Sequence, residues 1–122
     1  KGRITLLGDA AHPMLQYLAQ GGNMAMEDAV CLANQIEALG DYEAAFKKYQ
    51  ELRYLRTARV QLMARVFGEI YHASGVNREL RNKLLCEWSE AGSIDMSWLY
   101  GHQPELPRVA NIPMPPPTRL DA

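Results

Sequence analysis

Arg3-Ile4-Thr5-Leu6-Leu7-Gly8-Asp9-Ala10-Ala11-His12-Pro13, followed by Met14 to Gln20 and then Gly21-Gly22-Asn23-Met24-Ala25-Met26-Glu27-Asp28-Ala29, is the stretch that decides how this chain is read. Residues 3–7 are β-branched and leucine-rich, which predicts a short strand ended by Gly8-Asp9. Residues 10–22 read as a loop, because Pro13 biases His12 toward extended geometry. Asn23 is a good N-cap type and predicts a helix from there to about Ala38. Its apolar face is Met24, Ala25, Ala29, Leu32, Ala33 and Ile36. Glu27 and Asp28 fall in the first turns, where negative charge suits the helix dipole. An apolar strand normally lies inside a parallel sheet covered on both faces, and no partner strand is present in this sequence. The chain also opens at Lys1 without Met. It therefore reads as a fragment, or as a chain that pairs with another.

Beyond this stretch the pattern is helical. Gly40-Asp41 breaks the first helix and offers Asp41 as the next N-cap. A long helix follows from Tyr42 to about Ala73, with Phe46, Tyr49, Leu52, Leu55, Leu62, Val66, Phe67 and Ile70 approximating one face. Gly68 is a candidate kink. Arg53, Arg56, Arg59 and Arg65 fall mostly off the apolar face, as a solvated or salt-bridged surface. A shorter helix spans Asn77 to about Cys86. Trp88, Trp98 and Tyr100 are expected as packing anchors in residues 87–103. From Pro104 onward lie all but one of the seven prolines, an extended tail. The divisions are 1–38 (strand, loop and helix), 39–103 (helical region) and 104–122 (tail).

Composition narrows the function. The 122 residues carry a formal net charge of −1, with no basic excess to neutralise a phosphate backbone, so nucleic acid is not expected as a partner. No apolar run reaches the roughly 18 residues that span a bilayer, and no membrane partner is expected. Cys31 and Cys86 lack metal-ligand spacing; both are expected as reduced core residues of a cytoplasmic protein. No metal site is expected.

The chemistry lies at the strand's end. Asp9 would stand outside the carboxyl end of a strand, where ligands of α/β sheets sit, placed to accept hydrogen bonds from vicinal hydroxyls. Gly21-Gly22 would let backbone N–H groups approach a ligand, and the helix start would favour negative charge there. A phosphate and an electron-rich ring oxygen both satisfy that arrangement.

The stretch resembles the GDAAH…GQG.N…EDA motif of the single-component FAD-dependent aromatic hydroxylases, the family of para-hydroxybenzoate and salicylate hydroxylases. The likeness is close over the first thirty residues or so, and Tyr49…Arg53…Arg56 also follows the family pattern. The resemblance implies an α/β, Rossmann-like FAD-binding fold in the full parent, of which this chain is a mainly α-helical C-terminal piece with one N-terminal strand. It implies FAD as cofactor, with NADH or NADPH as electron donor. Gly8, Asp9, Gly21, Gly22 and Asn23 would hold the flavin: Asp9 at the ribityl hydroxyls, the amides of Gly22 and Asn23 at the N1/C2-carbonyl edge of the ring.

Many relatives carry proline where this sequence has Gln16. Leu15-Gln16-Tyr17-Leu18-Ala19, Gly68-Glu69-Ile70-Tyr71-His72 and Trp98-Leu99-Tyr100-Gly101 resemble the subfamily acting on 3-hydroxybenzoate. That likeness implies a phenolic benzoate substrate beside Gln16, O2 as co-substrate and gentisate as product. The family's dinucleotide glycine motif, its substrate-domain sheet and its catalytic base are not among these residues. No catalytic residue is therefore assigned within the chain, and the missing N-terminal part of the same enzyme is an expected partner. A salicylate 1-monooxygenase piece and a non-catalytic helical module that self-associates, for instance as a homodimer, stand as alternatives.

Overall fold

The computed structural model describes residues 2–90 and 95–103. Single 3-10 turns at Gly8–Ala10 and Gln16–Leu18 precede four helices: α1 (Gly21–Leu39), α2 (Tyr42–His72), α3 (Gly75–Glu90) and α4 (Ser97–Tyr100). The expected tail lies outside the described residues. Among the described residues no strand is formed, which corrects the expectation for residues 3–7. The backbone at Leu7 is extended (φ −135°, ψ 151°), yet no neighbouring segment supplies a ladder. A strand is a property of a pair, and this chain contributes one member. Ile4 and Leu6 are left exposed.

α1 begins two residues earlier than expected. Gln20, not Asn23, holds the N-cap position, and Met24 N donates the first α-helical hydrogen bond to Gln20 O at 2.9 Å. Asn23 lies inside the first turn, where its Nδ2 donates to Gln20 Oε1 at 3.2 Å. The helix ends as the sequence implies: Gly40 takes the left-handed conformation (φ 63°) that a side chain disfavours. Asp41 then caps α2, its carboxylate accepting from Ala44 N at 3.0 Å. This two-residue connection folds α1 and α2 into an antiparallel hairpin, with Asp28 opposite Arg53 and Glu27 opposite Arg56.

The buried stripe of α2 is Ala45, Tyr49, Arg53, Thr57, Val60, Ala64 and Gly68, and only Tyr49 belongs to the face expected from bulk. Leu52, Leu55, Leu62 and Val66 are exposed. Small residues at three- and four-residue spacing let neighbouring elements approach closely, so they, and not the leucines, line the contact. Met24, Val60, Ala64, Leu18 and Leu99 form the core, flanked by Met14, Met63, Phe67, Met96 and Trp98.

α2 is one continuous helix through Gly68. Three smaller expectations are corrected as well. α3 extends from Gly75 to Glu90 and buries none of its side chains. In the following segment Leu99 is the buried anchor, while Trp98 lies under the Arg59 guanidinium, 4.0 Å from ring centroid to Cζ. Trp88 and Tyr100 are exposed, as is Cys86, which therefore is not a core thiol. No described helix is long and apolar enough to cross a membrane.

Met24 and Val60 are both fully buried at the α1–α2 contact. Met24→Ala is expected to lower unfolding stability by about 2–5 kcal/mol in urea denaturation, against about 1 kcal/mol for the cap variant Asp41→Ala.

Candidate functional site

The first turn of α1 and the Gly8–Ala10 turn face each other across a crevice of about 300 Å³ lined by Leu7, Gly8, Asp9, Gly21, Gly22 and Ala25. Four of the five residues expected at the flavin thus meet in one place. Asn23 does not line this crevice; it borders a separate hollow with Gln20, Glu27 and Tyr100. Gln16 is exposed and lines neither space.

The N–H groups of Gly21, Gly22 and Asn23 precede the first α-helical hydrogen bond and have no acceptor within the helix. Asp9 is exposed, its Oδ1 close enough to Gly21 that an added Cβ there would lie 3.6 Å away. Gly8 adopts φ 55°, and a Cβ on it would meet Ala25 Cβ at 3.0 Å, so glycine is required by the fold. Gly22 is different. A Cβ there meets nothing within 4 Å, so packing inside the chain does not account for its missing side chain.

Behind the crevice lies a buried charge cluster whose role the sequence reading missed. Asp28 is fully buried. Its Oδ2 accepts from Gly8 N at 3.0 Å and from His12 Nε2 at 2.5 Å, and its Oδ1 accepts from Arg53 Nε at 2.6 Å. Glu27 accepts from Arg53 Nη1 at 2.6 Å and from Arg56 Nε and Nη2 at 3.1 and 2.8 Å. Glu27 and Asp28 are therefore not dipole partners of α1; they tie α1 to α2 and to the Gly8 turn. Arg53 likewise is interior: of the solvated or salt-bridged surface expected for it, the salt bridges form, to Glu27 and Asp28, but the exposure does not. Arg56 reaches on to the carbonyls of Trp98 and Leu99, which seats α4.

His12 is also buried. Asp28 can only accept, so Nε2 carries the proton, and Nδ1 has no partner among the described residues. A signal for the cluster did exist. Asp28 recurs four residues after Met24, on the buried stripe of α1, and a carboxylate at such a position demands a partner.

Burial works to raise the carboxyl of Asp28, but hydrogen bonds from His12, Arg53 and Gly8 outweigh it and hold it below the ordinary carboxylate value. Burial opposes Glu27 in the same way, and Arg56 and Arg53 overcome it. Arg53 is pulled up by Asp28 and Glu27 against its own burial. Burial, with the Asp28 charge added, pushes the Tyr49 phenol well up. Tyr49 therefore stays neutral and donates to Leu6 O at 3.3 Å, anchoring the extended segment onto α2. No group of His, Cys, Asp and Glu among the described residues is arranged to hold a metal.

A carboxylate and a row of amides without acceptors in the helix thus line one glycine-walled crevice. Residues 1–64 match the FAD binding domain family, and the chain belongs to that family. It is 49% identical over 104 residues to 3-hydroxybenzoate 6-hydroxylase 1 of Aquipseudomonas alcaligenes, covering 84% of this chain and 26% of that protein. It is 51% identical over 102 residues to 3-hydroxybenzoate 6-hydroxylase of Polaromonas naphthalenivorans (strain CJ2), covering 82% of this chain and 26% of that protein. A 3-amino-4-hydroxybenzoate 2-monooxygenase of Streptomyces cremeus is 36% identical over 116 residues, covering 91% of this chain and 28% of that protein. The chain thus spans about a quarter of the length of these relatives.

Asp28→Asn removes one of the two carboxylates paired with Arg53, leaving Glu27 as its counter-charge, and is expected to destabilise the fold by about 3 kcal/mol in denaturant titration. Both carboxyls are depressed in the folded state. Their contribution is therefore complete above about pH 4–5 and is lost as pH falls through their lowered folded values. Unfolding midpoints measured from pH 7 to pH 2 should drop along that acid limb, and Asp28→Asn should flatten it.

Proposed function

We propose that this chain is the flavin-facing part of an FAD-dependent monooxygenase that converts 3-hydroxybenzoate to 2,5-dihydroxybenzoate with NADH or NADPH and O2. One observation carries the reading: Asp9, Gly21 and Gly22 line a single crevice at the start of α1, in a chain about half identical to hydroxylases of that name. Gly8, Asp9, Gly21, Gly22 and Asn23 fit the ring end of the cofactor. Asp9 accepts hydrogen bonds from the ribityl hydroxyls. The amides of Gly22 and Asn23 donate to the N1/C2-carbonyl edge, and the positive end of α1 favours the negative charge that reduction places there. The flavin, when bound, supplies the oxygen chemistry, while the protein supplies position and field.

Gln16 contacts the aromatic substrate and orients its ring. The dinucleotide-binding part, the substrate-domain sheet and the base that deprotonates the phenol belong to the rest of the enzyme. The described residues alone hydroxylate nothing.

The test is made on the full-length protein carrying this chain. Purified protein should be yellow and should form 2,5-dihydroxybenzoate from 3-hydroxybenzoate; catechol from salicylate would move the assignment to the salicylate enzymes. A colourless protein that takes up no added FAD ends it. Gln16→Ala should raise the dissociation constant for 3-hydroxybenzoate more than that for FAD. Gly22→Ala should leave folding stability equal or higher by up to about 1 kcal/mol, since alanine outranks glycine in a helix. The same variant should lose FAD, because its methyl occupies the space the ring needs.

A further inference from the structure

The loop that carries Gln16 is fastened to α2 at two points. Gln61 Nε2 donates to Pro13 O at 2.9 Å. Farther along, Tyr17 lies on Gly68, so close that a Cβ on Gly68 would come within 2.6 Å of the ring's Cε2. Its hydroxyl is 2.9 Å from His72 Nε2. The ring also meets His72 edge-on at 5.4 Å between centroids, and Tyr71 at 5.8 Å. Arg81 of α3 stiffens this end of α2 by donating from Nη1 to Ile70 O at 2.8 Å. In the structure Gly68 and His72 both meet Tyr17.

Residues 16–18 form one 3-10 turn, in which successive side chains point about 120° apart. Tyr17 is directed to Gly68 and His72, and Leu18 is buried in the core. Only the third direction remains for Gln16, which is exposed. The turn is closed by Ala19 in the left-handed region (φ 52°), a conformation that costs a non-glycine residue and needs its neighbours to hold it.

We infer that Tyr17 and His72, seated by Gly68, are positioning residues that set where Gln16 stands toward the aromatic substrate. The inference rests on the hydroxylase reading above. Loss of the Tyr17–His72 hydrogen bond frees the turn to rotate, so a bound ring is held less well. NAD(P)H and a proton then reduce O2 to H2O2 in place of ring hydroxylation, while the crevice at the start of α1 is untouched.

The experiment uses the full-length flavoprotein titrated with 3-hydroxybenzoate, following the flavin spectrum and comparing 2,5-dihydroxybenzoate formed with NAD(P)H consumed. Tyr17→Phe and His72→Leu should each raise the dissociation constant about fivefold and lower that ratio, with FAD content unchanged. The double variant should be no worse than either single, and His72→Gln, which keeps an acceptor, should restore most of the ratio. Gly68→Ala should lose both thermal stability and coupling. Adding Tyr17→Leu to it should recover stability but not coupling, a split that a purely structural contact does not produce.

Wild-type affinity and coupling in Tyr17→Phe, additive effects in the double variant, or full recovery in Gly68→Ala/Tyr17→Leu would each overturn the positioning role alone. A wild-type enzyme that binds FAD but ignores 3-hydroxybenzoate overturns the substrate reading and this inference with it.

Discussion

The carboxylate of Asp28 is where three separate pieces of the chain meet. It draws in the Gly8 amide, the His12 ring and the Arg53 guanidinium, all within 3.0 Å, in a place without solvent. A buried carboxylate is costly unless it is paired and fully hydrogen-bonded, so these contacts are obligatory rather than decorative. Their geometric consequence is direct. The amide that Asp28 holds belongs to Gly8, and the next residue is Asp9. The helix that carries Asp28 is the one whose first turn bears Gly21, Gly22 and Asn23. One side chain thereby sets the two walls of the crevice against each other.

The chain uses its two rows of acidic and basic groups to do what a larger apolar core would otherwise do. Glu27 extends the cluster to Arg56, which bonds to the carbonyls of α4, and Tyr49 extends it to the extended segment through Leu6 O. The apolar core proper is small and lies at the other side of the loop, where Leu18, Met24, Val60, Ala64 and Leu99 meet. The Gln16 turn rests on that core through Leu18, and the Gly8 turn is held by the Asp28 carboxylate. The two turns are thus supported by different physics, which is why their perturbation should be separable.

Much of the helical pattern was legible in the residues themselves. Gly40-Asp41 marked the hairpin because glycine accepts a left-handed C-terminus and aspartate accepts amides at an N-cap, both local effects. The glycines and Asp9 of the crevice were legible for the same reason. The α2 face was not. Counting bulky residues selected leucines that are exposed in this chain, while contact between close helices is made by alanine, threonine and glycine, whose signal in a hydrophobic pattern is weak. The strand was misread in kind: its residues are those of a strand, but pairing requires a partner that no local pattern supplies.

By itself the sequence determined helix limits to within a few residues, the glycine-led start of α1 and the family to which the chain belongs, all of which depend on neighbours along the chain. Tertiary structure decided the rest. Only folding could show that Asp28 and Arg53 are interior and that a side chain on Gly68 would collide with Tyr17. Each of these depends on groups sixteen to more than fifty residues apart, whose meeting is governed by how the helices pack and not by the period of either one.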